Sequence, residues 1–262
     1  MSWKGLTKAV NRAQTGLMQR VGQVDKTVDS EFAQEEARYR SLEKTALSLQ
    51  KEAKNYLDSI RAMTAAQARL AETIDSFYTD SSDAAMSAHS YRRAVDELEA
   101  KTARELDAPY RATVLEPIGR MCSYLPEVNN AISKRNKKLL DYDSARTKAR
   151  KLVDKPSDDS GKLPLAEKQA EDAREVFEVL NNQLMTELPT LLDLRIPYLD
   201  PSFECMVRLQ AAFATEGYEK LGGVQRYFAE NVRDDYASGA LDSQVEQALA
   251  DMSTLSICSA AG

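Results

Sequence analysis

Glycine and proline are almost missing from the first half of the chain. No glycine occurs between Gly22 and Gly119, and the first proline is Pro109. The residues that most often end helices are therefore absent over a span much longer than an ordinary helix. With ten glycines and eight prolines in 262 residues, and with 29% charged residues, the composition disfavours a loop-rich β fold. It favours long helices with solvated outer faces.

Three further scarcities exclude classes of function. The cysteines Cys122, Cys205 and Cys258 are scattered without a CxxC pair, so we expect no disulfide framework and infer a reducing cytosol. The single histidine, His89, has no acid–base partner, phosphate loop or metal-ligand spacing around it. We therefore predict no enzyme, no metal site and no cofactor. No continuous apolar run suits a signal peptide or the ~20 residues that span a bilayer, so we expect any membrane contact to be peripheral.

The first segment, residues 2–22, contains four basic residues and no acid, although the whole chain has a formal net charge of −6. Its apolar residues recur at helical spacing, but each of its three glycines costs a helix about 1 kcal/mol relative to alanine. Weak cationic amphipathic helices of this kind lie in membrane interfaces. The alternative interpretation is an ordinary amphipathic helix packed on the rest of the protein.

In the membrane interpretation, this segment is largely disordered in solution and becomes helical on anionic bilayers. The side chains expected to insert are Trp3, Leu6, Val10, Leu17 and Val21. The side chains expected to stay with the lipid headgroups are Lys4, Lys8 and Arg12.

Three long helical patterns follow, over about 24–78, 83–153 and 164–235. The first keeps a 3-4 apolar repeat from Phe32 to Phe77, which predicts a helix that supercoils against partners. Interior prolines predict kinks in the other two, although one or more of them could instead end a helix. The predicted kinks are at Pro109, Pro117, Pro126, Pro189 and Pro197.

These patterns predict an all-α fold. A long, kinked three-helix antiparallel coiled coil occupies 23–235, with an N-terminal amphipathic membrane helix over 1–22 and an acidic tail containing a short helix over 236–262. Because helices of this length cannot be buried by two neighbours along their whole extent, we expect a dimer.

A second basic cluster lies at 134–151, where eight basic residues accompany two acids. Clustered Lys and Arg favour binding to an anionic lipid surface, because each basic residue near the surface contributes about 1 kcal/mol of attraction. The alternative interpretation is a solvated helix face without a ligand. Few aromatic residues lie among these basic residues, and the pI of the chain is near 5.1; both observations argue against nucleic-acid binding. Helical spacing places four of the lysines on the outer face. The predicted headgroup ligands here are Lys134, Arg135, Lys137, Lys138, Lys148, Arg150, Lys151, Lys155 and Lys162.

Two segments, KLLDYDSAR at 138–146 and EVFEVLNNQLMTELPTLLDLRIPYL at 175–199, carry a resemblance to a known family. With the amphipathic first segment, the three-helix layout and the proline positions, they resemble the amphiphysin-type N-BAR domain over about residues 1–235. The sequence reaches Gly262 without a linker or an SH3 domain. In this it is similar to the small fungal Rvs-type members and the animal BAR-only bridging integrators.

The resemblance implies a crescent-shaped dimer that binds anionic phospholipid membrane and senses or generates curvature. It also implies roles in endocytic vesicle scission, cortical actin organisation, cell polarity and cytokinesis. The implied location is cytoplasmic and peripheral, at the plasma membrane, cortical actin patches and the division site.

The implied partners are a second BAR protomer and the actin-patch and endocytic machinery. The dimer is either a homodimer or a heterodimer with a longer, SH3-containing amphiphysin-like protein. An alternative function is a rigid coiled-coil cytoskeletal scaffold that does not touch lipid.

Overall fold

The computed structural model describes residues 3–22, 24–78 and 82–258, without the side chains of residues 3–6 and Ala103. The described chain is helical and contains no strand in these ranges. Two π-helical segments, Thr102–Asp107 and Arg111–Leu115, interrupt the α-helices. The α-helices are α1 (Trp3–Arg20), α2 (Ser30–Phe77), α3 (Asp83–Lys101), α4 (Ala108–Tyr110), α5 (Glu116–Ser123), α6 (Leu125–Asp154), α7 (Lys162–Gln225), α8 (Val232–Ala237) and α9 (Ala240–Ser253).

The chain divides into two compact units. The first unit comprises Met1–Asn55 and Arg111–Cys205, and the second comprises Tyr56–Tyr110 and Met206–Gly262. Each unit contains a part of α2 and a part of α7. The predicted all-α architecture is confirmed.

The core of the first unit follows the predicted apolar repeats. In α2, the buried residues Phe32, Tyr39, Ala46 and Ala53 are spaced by seven residues, which is the repeat of a left-handed coiled coil. They belong to a core to which α5, α6 and α7 also contribute. The buried residues of those helices include Ile118, Leu125, Ile132, Phe177, Leu184 and Leu188.

In the second unit, the buried side of α2 differs from the predicted one. The predicted repeat continued through Met63, Leu70 and Phe77, but these side chains are exposed, Phe77 by 79%. The residues buried there instead are Leu57, Thr64 and Ala71. The step from Ala53 to Leu57 is four residues, after which the spacing of seven resumes. Because an α-helical turn has 3.6 residues, positions seven residues apart shift slowly around the axis of a straight helix. One extra step of four residues brings the buried positions back to the same side of the helix.

Three of the five predicted kink prolines coincide with changes in helix type. Pro109 follows the first π segment, Pro117 follows the second, and Pro126 follows the turn at Tyr124 that separates α5 from α6. Each distortion ends two residues before its proline. A proline ring lacks the N–H group and crowds the preceding turn, which accounts for this placement.

The π segments also keep the apolar side chains in line. Leu106, Tyr110, Val114 and Ile118 are buried and recur every four residues. A step of four exceeds the 3.6 residues of an α-helical turn, and the wider π turns absorb the excess. In contrast, α7 continues through Pro189 and Pro197, so bending of α7 at these prolines stays a prediction.

Two helix ends differ from the prediction. α2 begins at Ser30 and not near 24, because Asp29 Oδ1 accepts a hydrogen bond of 3.0 Å from the Phe32 N–H and so caps the helix. α7 ends at Gln225 and not near 235, shortly after Gly222 and Gly223, which weaken a helix. The short helix predicted in the acidic tail corresponds to α9.

The buried Tyr39 generates a prediction about alkaline pH. Its hydroxyl oxygen lies 3.1 Å from both the Leu125 carbonyl oxygen and Asn129 Oδ1. Burial, with a smaller contribution from Glu43, raises the pKa of Tyr39 to about 12. The unfolded chain loses this proton near pH 10, so above that pH the folded state binds more protons than the unfolded state. The free energy of unfolding therefore decreases as the pH rises from about 10 to about 12.

Denaturant unfolding across this pH range measures the effect. We expect Tyr39→Phe to remove part of the decrease, whereas Tyr236→Phe, at an exposed tyrosine, leaves it as in the wild type. A Tyr39→Phe variant that keeps the whole decrease would show that Tyr39 does not cause it.

Candidate membrane-binding surface

Arg135 of α6 lies in the interior of the first unit. Its side chain is 3% exposed, and its guanidinium carbon lies 3.8 Å from the centre of the Phe32 ring and 4.9 Å from that of Phe177. It forms an ion pair with Asp29, and its Nε donates a 2.9 Å hydrogen bond to Asn181 Oδ1. Burial lowers the pKa of Arg135, and the charge of Asp29 opposes this shift.

The prediction that Arg135 binds headgroups is therefore corrected. A charge count does not distinguish arginine from lysine, but the planar guanidinium fork suits a buried ion pair between aromatic rings. The helical spacing of 134–151 could have indicated this, because Arg135 occupies the same core position as Tyr142 one heptad later.

The segment between α1 and α2 binds α6 through alternate residues. Asp25, Thr27 and Asp29 all face α6, as expected for an extended segment whose side chains alternate. Thr27 donates to Asp143 from its backbone N–H at 3.2 Å and from its hydroxyl at 2.6 Å. The other two residues meet arginines: Arg150 Nη1 donates to Asp25 Oδ2 at 2.5 Å, and Arg135 pairs with Asp29. Arg150 thus has a protein partner.

α1 packs on α6 through its polar side. Arg12 forms two parallel hydrogen bonds with Asp141, from Nε to Oδ1 at 2.8 Å and from Nη2 to Oδ2 at 2.7 Å. One end of α1 is held by Gln19, whose Nε2 donates to Asp143 Oδ2 at 2.8 Å. Thr15 lies between these two contacts and is buried. Arg12, predicted to bind headgroups, has an acidic partner within the protein.

The apolar side of α1 faces solvent. Val10, Leu17 and Val21 are 60%, 63% and 64% exposed, and at 100° per residue they lie opposite Arg12 and Gln19. The structure therefore combines features of both sequence-based interpretations. α1 is helical and packs on the protein, as in the alternative interpretation, but its apolar side chains stay exposed, as the membrane interpretation expects.

Of the remaining predicted residues of this segment, Lys8 is exposed. Trp3, Lys4 and Leu6 belong to α1, but their side chains lie outside the described residues.

Four exposed lysines form one side of α6. Lys134, Lys137, Lys148 and Lys151, which we call the lysine stripe, are separated by intervals that place them on a common face. Asp141 shares this face, because it is seven residues from both Lys134 and Lys148. Lys155 and Lys162 are exposed beyond the end of α6 and at the start of α7. Lys138 Nζ lies 3.9 Å from Asp141 Oδ2.

Apolar side chains are also exposed away from α1. In the first unit, a cavity of about 470 Å³ is lined mainly by apolar residues, among them Leu42, Met121, Tyr124, Leu194 and Tyr198. In the second unit, Met63, Leu70 and Phe77 follow one another at seven-residue spacing on the exposed side of α2. Groups of exposed apolar side chains are typical of sites that bind another protein or a membrane.

Comparison with known proteins identifies the family. Residues 6–230 match the family model described as BAR domain. The chain belongs to the BAR domain family. It is 58% identical to Protein hob3 of Schizosaccharomyces pombe, with 98% of this chain and 97% of that protein covered. It is 46% identical to the Candida albicans protein named Regulator of cytoskeleton and endocytosis RVS161, with 99% of each chain covered.

More distant comparisons agree with the expected family and fold. Amphiphysin of Gallus gallus is 30% identical over 81% of this chain and 31% of its own length. A solved BAR protein from Galdieria sulphuraria has a TM-score of 0.64 at 12% identity, covers 77% of this chain and 98% of its own, and supports the fold alone. The family and the all-α coiled-coil fold predicted from the sequence are confirmed.

The buried arginine generates a prediction about stability. Arg135→Ala leaves Asp29 without its ion-pair partner and removes the contacts with both aromatic rings. We expect the free energy of unfolding to fall by about 3 kcal/mol, the lower part of the range for breaking a buried pair, because Asp29 retains some access to water. Urea unfolding measures the change.

Lys134→Ala is the matched control, since it removes the same charge from the next position of the same helix. We expect it to change stability by no more than about 0.5 kcal/mol. Equal effects of the two substitutions would contradict the interior placement of Arg135.

Proposed function

We propose that this BAR-domain protein binds curved anionic membranes and senses or generates their curvature. The observation that supports the proposal best is the arrangement of α1 on α6. α1 is held through its polar side, its apolar side chains are exposed, and the acid that holds it lies within the lysine stripe. Apolar side chains can then enter the acyl boundary while lysines attract anionic headgroups, at about 1 kcal/mol each.

The proposed residues follow from the sequence and from the contacts described above. The inserting side chains are Trp3, Leu6, Val10, Leu17 and Val21. The headgroup ligands are Lys4, Lys8, Lys134, Lys137, Lys148, Lys151, Lys155 and Lys162. Arg12, Arg135, Lys138 and Arg150 are left out because each has a carboxylate partner within the first unit. No helix of the described ranges is long and apolar enough to cross a bilayer. We propose an interfacial contact because α1 is amphipathic and cationic.

The proposed cellular role is in endocytosis and the cortical cytoskeleton, and it involves no catalytic step. It is supported by the name of the Candida albicans relative, a regulator of cytoskeleton and endocytosis that matches almost the whole chain. By resemblance to the family, the proposal extends to vesicle scission, cell polarity and cytokinesis. The proposed locations are the plasma membrane, cortical actin patches and the division site.

Charge reversal of the lysine stripe tests lipid binding. In the variant carrying Lys134→Glu, Lys137→Glu, Lys148→Glu and Lys151→Glu, four attractive charges become repulsive. We expect it to lose co-sedimentation with vesicles of phosphatidylcholine and phosphatidylserine at physiological salt. Circular dichroism should show unchanged helix content, because these side chains are exposed.

The matched control reverses four other exposed lysines, with the same change in net charge: Lys44, Lys51, Lys54 and Lys168. We expect this control to sediment with the vesicles. If the stripe variant sediments equally well, the stripe is not the lipid-binding surface. If the wild-type protein itself does not sediment, the alternative of a cytoskeletal scaffold without lipid contact is favoured.

We further propose that the working form is a crescent-shaped dimer, formed with a second copy or with a longer, SH3-containing amphiphysin-like partner. The exposed apolar residues on α2 in the second unit and the apolar cavity in the first unit support association, because both leave apolar surface in contact with water.

Analytical ultracentrifugation at micromolar concentration tests dimerisation. We expect the wild-type chain to be dimeric, alone or with the longer partner, and a variant with Leu70→Asp and Phe77→Asp to be monomeric, because two carboxylates would lie in the apolar contact. Val28→Asp, at an exposed valine of the segment before α2, should stay dimeric. A stable wild-type monomer that ignores the added partner would contradict the proposal.

A further inference from the structure

One acidic residue lies among the exposed lysines of α6. Counted along the helix, Lys134, Lys137, Asp141, Lys148 and Lys151 are separated by three, four, seven and three residues, so all five lie on one face. Asp141 is at the middle of this face, and it accepts both parallel hydrogen bonds from Arg12. Bidentate pairs of this type fix orientation as well as position.

Asp141 offsets the repulsion between the basic residues of α1 and those of α6. The polar side of α1 carries Lys8 and Arg12, and it faces a helix whose exposed face is also cationic. Like charges repel, so an acid between these two sides favours their association. Asp141 supplies the opposite charge at the centre of the lysine stripe.

Asp143 supplies a second point of attachment. Its side chain is 1% exposed and lies 3.3 Å from Arg146. It accepts hydrogen bonds from Gln19 near the end of α1 and from Thr27 in the segment that follows. Two attachment points separated by two helical turns, at Arg12 and Gln19, determine which side of α1 faces α6.

We propose that Asp141 and Asp143 are positioning residues for membrane insertion. They hold α1 on α6 at two points, Asp141 within the face of the lysine stripe and the buried Asp143 outside it, with Val10, Leu17 and Val21 directed away from α6. The apolar side chains and the lysines then meet a bilayer in a single orientation. The inference rests on the proposed function and adds residues that do not themselves touch lipid.

The inference and simple electrostatics make opposite predictions for Asp141→Asn. This substitution removes a negative charge from a cationic surface, so electrostatics alone predicts equal or stronger vesicle binding and equal or stronger tubulation. If Asp141 positions α1, vesicle binding is kept, but tubulation falls because α1 is no longer held in the inserting orientation.

The experiment uses the full chain and vesicles of phosphatidylcholine and phosphatidylserine, with three measurements: amide hydrogen exchange of α1 without lipid, co-sedimentation, and tubulation. For Asp141→Asn, we expect α1 amides to exchange about tenfold faster, as for the loss of a hydrogen-bonded charge pair. Co-sedimentation should not decrease, and tubulation should fall several-fold. Asp154→Asn removes the same charge from the exposed end of α6 and should match the wild type in all three.

A charge exchange provides the rescue. Arg12→Asp alone should give fast exchange in α1 and weak tubulation, and the double variant Arg12→Asp/Asp141→Arg should restore slow exchange and tubulation. Leu17→Asp separates insertion from positioning. It should lose tubulation but keep slow exchange, since Leu17 lies on the exposed side of α1.

The outcomes distinguish this inference from the proposed function. A wild-type protein that binds no anionic vesicles overturns the proposed function and, with it, the inference. A wild-type protein that tubulates vesicles, together with an Asp141→Asn variant that tubulates equally and keeps slow exchange in α1, overturns the inference alone. A charge-exchange variant that restores neither measurement also overturns the inference.

Discussion

The ion pair between Arg135 and Asp29 is the interaction on which the arrangement of the first unit depends. A guanidinium this deeply buried requires a carboxylate, and the segment before α2 brings Asp29 to it. The same Asp29 caps α2. The pair therefore determines where α2 begins and keeps the preceding segment against α6. In the same segment, Thr27 donates a hydrogen bond to Asp143, and Asp25 pairs with Arg150. α1, which precedes this segment, contacts α6 through Arg12 and Asp141.

The arginines and the lysines of α6 have different roles. Its arginines, Arg135, Arg146 and Arg150, contact carboxylates or carbonyls of the same unit, whereas the lysines of the stripe are exposed. The guanidinium fork forms several fixed hydrogen bonds at once, so it suits a structural contact. The ammonium group is a strongly hydrated point charge on a flexible chain, and it suits a mobile, anionic lipid surface. Stability and lipid binding can thus be altered separately.

Apolar surface is left exposed in both units, and this is consistent with a protein that completes its structure by association. Val10 and Leu17 on α1, and Val21 directly after it, are exposed, while the polar side of α1 packs on α6. Met63, Leu70 and Phe77 form a separate exposed row on α2. The proposed lipid surface accounts for the first group, and the proposed dimer contact accounts for the second. Under these proposals, the two groups therefore bind different partners.

The sequence by itself determined the family, the all-α fold, the approximate helix lengths and the lysines on the outer face of α6. These follow from periodicity, from the absence of helix-breaking residues and from the quoted segments, all of which are local along the chain. Only the tertiary structure decided the roles of Arg12 and Arg135, the side of α1 that packs, and the residues of α2 buried in the second unit. Arg12 and Asp141 are 129 positions apart, and Arg135 and Asp29 are 106 apart. Charge counts and helical wheels carry no information about which distant acid a basic side chain meets, because that choice is made when separate helices pack together.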